Sequence, residues 1–155
     1  MTKWIVLLAI FAAAAPSLAQ ERGVIEGKPV VLDGDTLLFG KTRVDLWGID
    51  APEMDDWPLG ANARLTLDVM IASFQVRCRP VSQQTESPIV ARCVSVDSLD
   101  KSEVRDLSES MVFLGWAVVD RLMTAHDEEF RERYDEAEMK AWLEKRGIWG
   151  PVASP

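Results

Sequence analysis

The sequence predicts a β-rich α+β fold, a small barrel with about three helices packed on it. Three observations point there. The first third of the chain alternates short β-branched runs with tight Gly and Asp turns. A second pair of apolar runs flanks a polar linker and carries both cysteines. Two later segments repeat apolar residues at helical spacing.

Taken in order, Gly23–Val31 (GVIEGKPVV) is expected as the first strand. Asp33-Gly34-Asp35-Thr36 is a tight acidic turn, Leu37–Phe39 a second strand and Gly40-Lys41 a hairpin turn. The chain returns as a strand over Thr42–Ile49. Pro52 ends it, because proline has no N–H and biases Ala51 toward an extended conformation. After a loop from Met54 to Gly60, Ala61–Phe74 reads as a helix with Leu65, Val69 and Ala72 on its apolar face. Phe74–Arg79 and Ile89–Val96 are strands that pair around the linker Pro80–Pro88. A short helix from about Asp106 to Leu114 closes at Gly115, and Trp116–Val119 is a short strand. The last helix, about Asp127–Arg146, carries Phe130, Tyr134, Ala137 and Ala141 on one face and stops at Gly147. No repeat or internal domain boundary is visible, so residues 20–155 are expected to form one domain.

The first nineteen residues read as an export signal. Lys3 supplies the positive start, Trp4–Ala15 the apolar run and Ser17-Leu18-Ala19 the small-residue cleavage site. The apolar run is short for a bilayer span, so a retained anchor is the alternative and no membrane association is expected after cleavage. The expected location is therefore the periplasm or the exterior, and the expected state a monomer. Cys78 and Cys93 are the two cysteines. An even count in an exported chain, on strands that face one another, favours one disulfide over two buried thiols.

With 17 Lys+Arg against 25 Asp+Glu, the chain carries a net charge of −8. That balance disfavours a general nucleic-acid binder, which displaces counterions with a basic surface. The tryptophans, Trp47, Trp57, Trp116, Trp142 and Trp149 among them, are expected mostly in the core. Trp57, in the loop beyond Glu53, is the candidate for a surface role. His126 is expected to start the last helix, and the acids from Glu128 to Glu138 to form a solvated face.

The chemistry concentrates in Val31–Glu53, where DGDT and GIDAPE place Asp33, Asp35, Asp50 and Glu53 close together. These blocks, with Val90-Ala91-Arg92-Cys93, Asp106-Leu107, Gly115-Trp116-Ala117-Val118 and Gly147-Ile148-Trp149 in the same order, resemble the staphylococcal nuclease (thermonuclease-like) family. The resemblance covers nearly all of the chain beyond the leader. It implies a five-stranded OB-fold barrel with three helices and a Ca²⁺-dependent phosphodiesterase acting on DNA and RNA. It assigns Asp35, Asp50 and the backbone carbonyl of Ala51 to the metal, and Glu53 to the attacking water. Hard oxygen donors suit Ca²⁺, and a carboxylate beside such an ion can orient water for in-line attack. Asp33 reads as a turn-former rather than a ligand.

Two positions depart from the family pattern. The family places one phosphate-binding arginine five residues before the second metal aspartate; here that residue is Asp45. The other arginine aligns with Pro88. Losing one preorganised donor to the transition state typically costs about 2.7–4 kcal/mol. Arg43 shares a strand face with Asp45, about 6.6 Å along, and is expected to pair with it; a lean toward the phosphate site is the alternative. Arg92 shares a strand face with Pro88 but lies twice as far along from it as Arg43 does from Asp45, and is discounted. The expectation is therefore an exported domain with a degenerate nuclease site, acting as a binding or structural module and still open to Ca²⁺. The alternatives are an active Ca²⁺-dependent phosphodiesterase that uses Arg43, and a non-catalytic OB-fold binder of single strands.

Overall fold

The computed structural model describes residues 23–82 and 86–151. The leader and cleavage site expected in 1–19 lie outside the described residues, as does the centre of the 80–88 linker. The expected first strand is in fact two, β1 (Ile25–Gly27) and β2 (Val30–Val31). Pro29 lies between them and offers the ladder no N–H. Each half has a different neighbour: β1 pairs with β6 (Gln75–Pro80), and β2 with β3 (Thr36–Phe39). With β4 (Thr42–Leu46) and β7 (Ile89–Val96), the strand order is β1-β6-β7-β4-β3-β2. The two ends of that path are consecutive pieces of chain, so the sheet curls on itself into the OB-like barrel. The fold is mixed α+β, as expected.

The strand expected over Thr42–Ile49 stops at Leu46. Trp47 and Gly48 turn the chain, Gly48 with φ +83°, and a Cβ there would stand 3.0 Å from Thr124 and Tyr134. Glycine alone fits a left-handed turn this close to a packed ring. The chain then forms β5 (Ile49–Asp50), which leaves the main sheet to pair with β9 (Val118–Val119). A further strand, β8 (Glu103–Asp106), pairs with β7. No strand is expected here, before the helix at about Asp106, because the charged residues carry no apolar face.

Helix α1 (Leu59–Ile71) buries Gly60, Ala63, Leu67 and Ile71. The expected face is wrong: Leu65 and Val69 are 53% and 67% exposed. Two apolar stripes compete on this helix, and side-chain size decides between them. A Cβ on Gly34 would lie 2.7 Å from the methyl of Ala63, an approach that the Leu65–Val69 stripe is too bulky to make. Helix α2 (Leu107–Phe113) starts at Asp106, whose side chain accepts from Glu109 N at 3.0 Å. Helix α3 (Glu128–Leu143) buries Tyr134, Ala137 and Ala141 as its periodicity predicts. A 3₁₀ turn over Gly147–Trp149 returns the chain to α2, with Ile148 N donating to Gly115 O at 2.8 Å.

Cys78 and Cys93 face each other across β6 and β7 and form a disulfide with a Cα separation of 4.1 Å. Both are buried beside Leu37, Val44, Leu67, Val76 and Met111 in one core cluster. Trp47 is buried there too, but Trp142 is 60% exposed and Trp57 77%. Trp57 thus has the surface position expected of it, while Trp142 departs from the core expectation. No helix among the described residues is long and apolar enough to cross a membrane.

Candidate active site

The site begins with a turn that orients one carboxylate. Asp33 Oδ1 accepts from Asp35 N at 3.2 Å, an Asx-type contact that fits its expected turn-forming role. Asp35 then reaches the end of β5, where its Oδ2 accepts from Ala51 N at 2.9 Å. This bond joins the DGDT and GIDAPE blocks. Burial pushes the Asp35 carboxyl up to about 7, and its neighbour Asp33 adds to the rise. The Ala51 N–H and the Thr36 hydroxyl act in the opposite direction without offsetting it.

Asp50 and Glu53 are exposed, on β5 and just past its end. Glu53 is held by close backbone packing. A Cβ on Gly60 would fall 1.8 Å from the Glu53 carbonyl oxygen, so the 53–60 loop folds onto the first turn of α1 only because that residue has no side chain. Asp35, Asp50 and Glu53 line one open cavity of about 500 Å³.

The donors fit a hard divalent cation in kind: two carboxylates and a peptide carbonyl at Ala51 are all oxygen ligands. They fall short of the roughly six to eight that Ca²⁺ takes, so water would complete the shell. No group of three or more His, Cys, Asp or Glu among the described residues is arranged to hold a metal ion. The candidate set therefore depends on the carbonyl.

The cationic side of the cavity is where the family pattern breaks. Asp45 lies opposite Thr36 in the β3–β4 register and lines the cavity. It engages Arg43, Nε to Oδ1 3.1 Å, and Arg43 Nη2 also donates to Thr36 Oγ1 at 3.3 Å. The expected Arg43–Asp45 pair is present, and Arg43 borders the cavity as well. Pro88 sits just before β7, beside β4. Ser87 Oγ accepts from Arg43 N at 3.0 Å, so the segment reaches the site's edge but brings no guanidinium. Arg92 is elsewhere, stacked on Trp47 and Phe130 and paired with Asp127.

Sequence reading missed the far wall, Asp120–Met123. Arg121 is the second cation of the cavity, yet it pairs with Glu138 and with Asp135. Asp120 Oδ1 accepts from Leu122 N and Met123 N at 2.9 Å each. The signal was indirect: these residues follow β9, and only the pairing of β9 with β5 brings them to Asp50. Among the described residues the lining holds five carboxylates, from Asp35, Asp45, Asp50, Glu53 and Asp120, against the guanidiniums of Arg43 and Arg121.

Comparison with known proteins agrees with this architecture. The family model described as staphylococcal nuclease homologue matches residues 43–151. A probable endonuclease LCL3 of Komagataella phaffii is 32% identical over 114 residues, which cover 70% of this chain and 49% of that protein. The chain therefore spans about half the length of the curated relative it matches. The family match begins after Asp35, so the Asp35–Ala51 hydrogen bond is what connects the earlier acidic turn to the matched region.

Proposed function

The chain belongs to the staphylococcal nuclease homologues, and from that premise we propose that it is an exported member whose nuclease site is degenerate. In this reading the domain serves as a binding or structural module with weak or no phosphodiesterase activity. One observation carries it: each cation lining the carboxylate cavity is already paired with an acid, Arg43 with Asp45 and Arg121 with Glu138 and Asp135. A phosphodiester entering the cavity meets an excess of negative charge. Two absent donors to the transition state, at about 10² to 10³ in rate each, outweigh what correctly placed acids alone would provide.

Asp35, Asp50 and the Ala51 carbonyl would hold Ca²⁺. The ion would supply charge neutralisation to the donors and polarisation of a phosphoryl oxygen. Glu53, exposed on the same cavity, would orient water by accepting its proton. Among the described residues lining the cavity, none offers an uncommitted guanidinium to the phosphate. Export rests on the leader pattern in 1–19, and sequencing the N-terminus of the secreted protein checks it; an intact Met1 in the exported fraction is the contrary outcome.

A second reading has one observation in its favour, namely that the Arg43 side chain is 48% exposed and borders the cavity. Swinging away from Asp45, it would make a slow Ca²⁺-dependent phosphodiesterase. Hydrolysis of single-stranded DNA and RNA, with Ca²⁺ and with chelator, separates the two. Degeneracy predicts weak chelator-sensitive cleavage at most. Robust cleavage that disappears in Glu53→Gln would establish the second reading.

A further inference from the structure

A second cavity, of about 560 Å³, opens beside β6, β7 and β8, with Phe130 and Arg133 of α3 in its wall. Among the described residues it shares no lining residue with the carboxylate cavity. Its lining is richer in guanidiniums than in carboxylates. Arg79, Arg92, Arg105 and Arg133 line it against Glu103 and Asp106, in a chain whose net charge is −8.

These guanidiniums are positioned rather than loose. The Arg92 Cζ lies 4.1 Å from the Trp47 ring centre and 4.0 Å from that of Phe130. Arg133 approaches the Phe130 ring at 5.3 Å. Rings hold a guanidinium by its face and leave its N–H edge for hydrogen bonds. Arg92 Nε is buried with no partner among the described residues, and a buried donor ordinarily has one. Arg79 Nη2 is 2.5 Å from Glu103. Arg105 is exposed, and no side-chain hydrogen bond or ion pair engages it among the described residues. Val81, Val94 and Val104 add apolar wall.

We propose that this groove binds a small phosphomonoester with an apolar or aromatic body. Three of these guanidiniums are oriented by acid partners, Arg79 by Glu103, Arg92 by Asp127 and Arg133 by Glu109 and Asp106. Arg105 adds one that no side-chain acid engages among the described residues, so the lining offers a phosphomonoester oriented N–H edges and one uncommitted charge. Guanidinium forks suit phosphate oxygens, and the valines and Phe130 suit the organic body. The volume falls in the range of about 300–1,000 Å³ usual for small-ligand pockets. A long polyanion is disfavoured, because the remaining surface is acidic and repels whatever extends beyond the groove. The proposal stands whether or not the carboxylate cavity is active.

Calorimetric titration of the full mature protein with phenyl phosphate, in chelator, tests it. Inorganic phosphate and phenol serve as comparison probes. Phenyl phosphate is expected to bind more tightly than either, and more weakly as salt rises. Arg105→Glu is expected to lower the affinity at least about tenfold, and Arg105→Gln by less. Arg131→Glu, on the exposed part of α3, makes the same change in net charge and is expected to have no effect. No binding at millimolar phenyl phosphate overturns the proposal. So does an unchanged affinity in both Arg105 variants, an equal loss in Arg131→Glu, or equal binding of inorganic phosphate.

Discussion

Replacing Asp35 with Asn should stabilise the protein at neutral and alkaline pH. The Asp35 carboxyl rises from its ordinary 3.8 to about 7, chiefly because it is buried. Between those values the folded chain holds a proton that the unfolded chain has released. Stability contributed at Asp35 is therefore complete below about pH 4 and is lost as pH climbs toward 7. Each tenfold change in proton affinity is about 1.4 kcal/mol, so ionising Asp35 in the fold costs at most about 4 kcal/mol. Asparagine keeps an oxygen for the Ala51 N–H but cannot ionise. The variant should match the parent near pH 4 and exceed it by about 2–4 kcal/mol at pH 8. For a domain of this size that is a rise in Tm of roughly 10 °C. Urea unfolding of both proteins in chelator, from pH 4 to 8.5, gives the difference directly and cancels the other carboxylates. A difference that does not change with pH, or a variant less stable than the parent at pH 8, would refute the account of Asp35 as a desolvated acid.

Three more outcomes follow from particular contacts. Asp45→Arg combined with Pro88→Arg should release Arg43 and supply both missing cations, raising Ca²⁺-dependent cleavage of single-stranded DNA by about 10² or more; no gain would mean that the 80–88 segment has also lost its geometry. Cys78→Ser with Cys93→Ser should lower unfolding free energy by about 3 kcal/mol, the chain-entropy value for a loop of 15 residues, and an unchanged urea midpoint would contradict it. Gly60→Ala should cost about 1–3 kcal/mol or more, because the new methyl meets the Glu53 carbonyl at 1.8 Å; a neutral substitution would show that the 53–60 loop moves freely.

Much of the molecule was legible because it is encoded locally. The β3–β4 hairpin, the β6–β7 hairpin and the face of α3 follow from periodicity and turn residues read within about a dozen positions. The cross-strand disulfide was legible for the same reason, since both cysteines lie on one hairpin. The acidic turn and the order of the later blocks sufficed to suggest the family, and Asp45 already marked the site as altered. Errors arose where two local solutions were equally good. On α1, Leu65–Val69 and Ala63–Leu67 are both plausible stripes, and β8 has no apolar face to announce it.

The sequence by itself determined most of the secondary elements, the family-like acidic blocks and the charge reversal at position 45, because each is a property of neighbouring residues. Tertiary structure decided the rest through contacts between distant segments. Close approach at Gly34 chose the small-residue face of α1. Pairing of β5 with β9 carried Asp120 and Arg121 to the cavity. Burial beside Ala51 raised the proton affinity of Asp35, and the packing of Arg92 on Trp47 and Phe130 helped build a guanidinium-lined groove on an acidic protein. Desolvation and electrostatic pairing depend on distance in space, and a linear sequence does not state that distance.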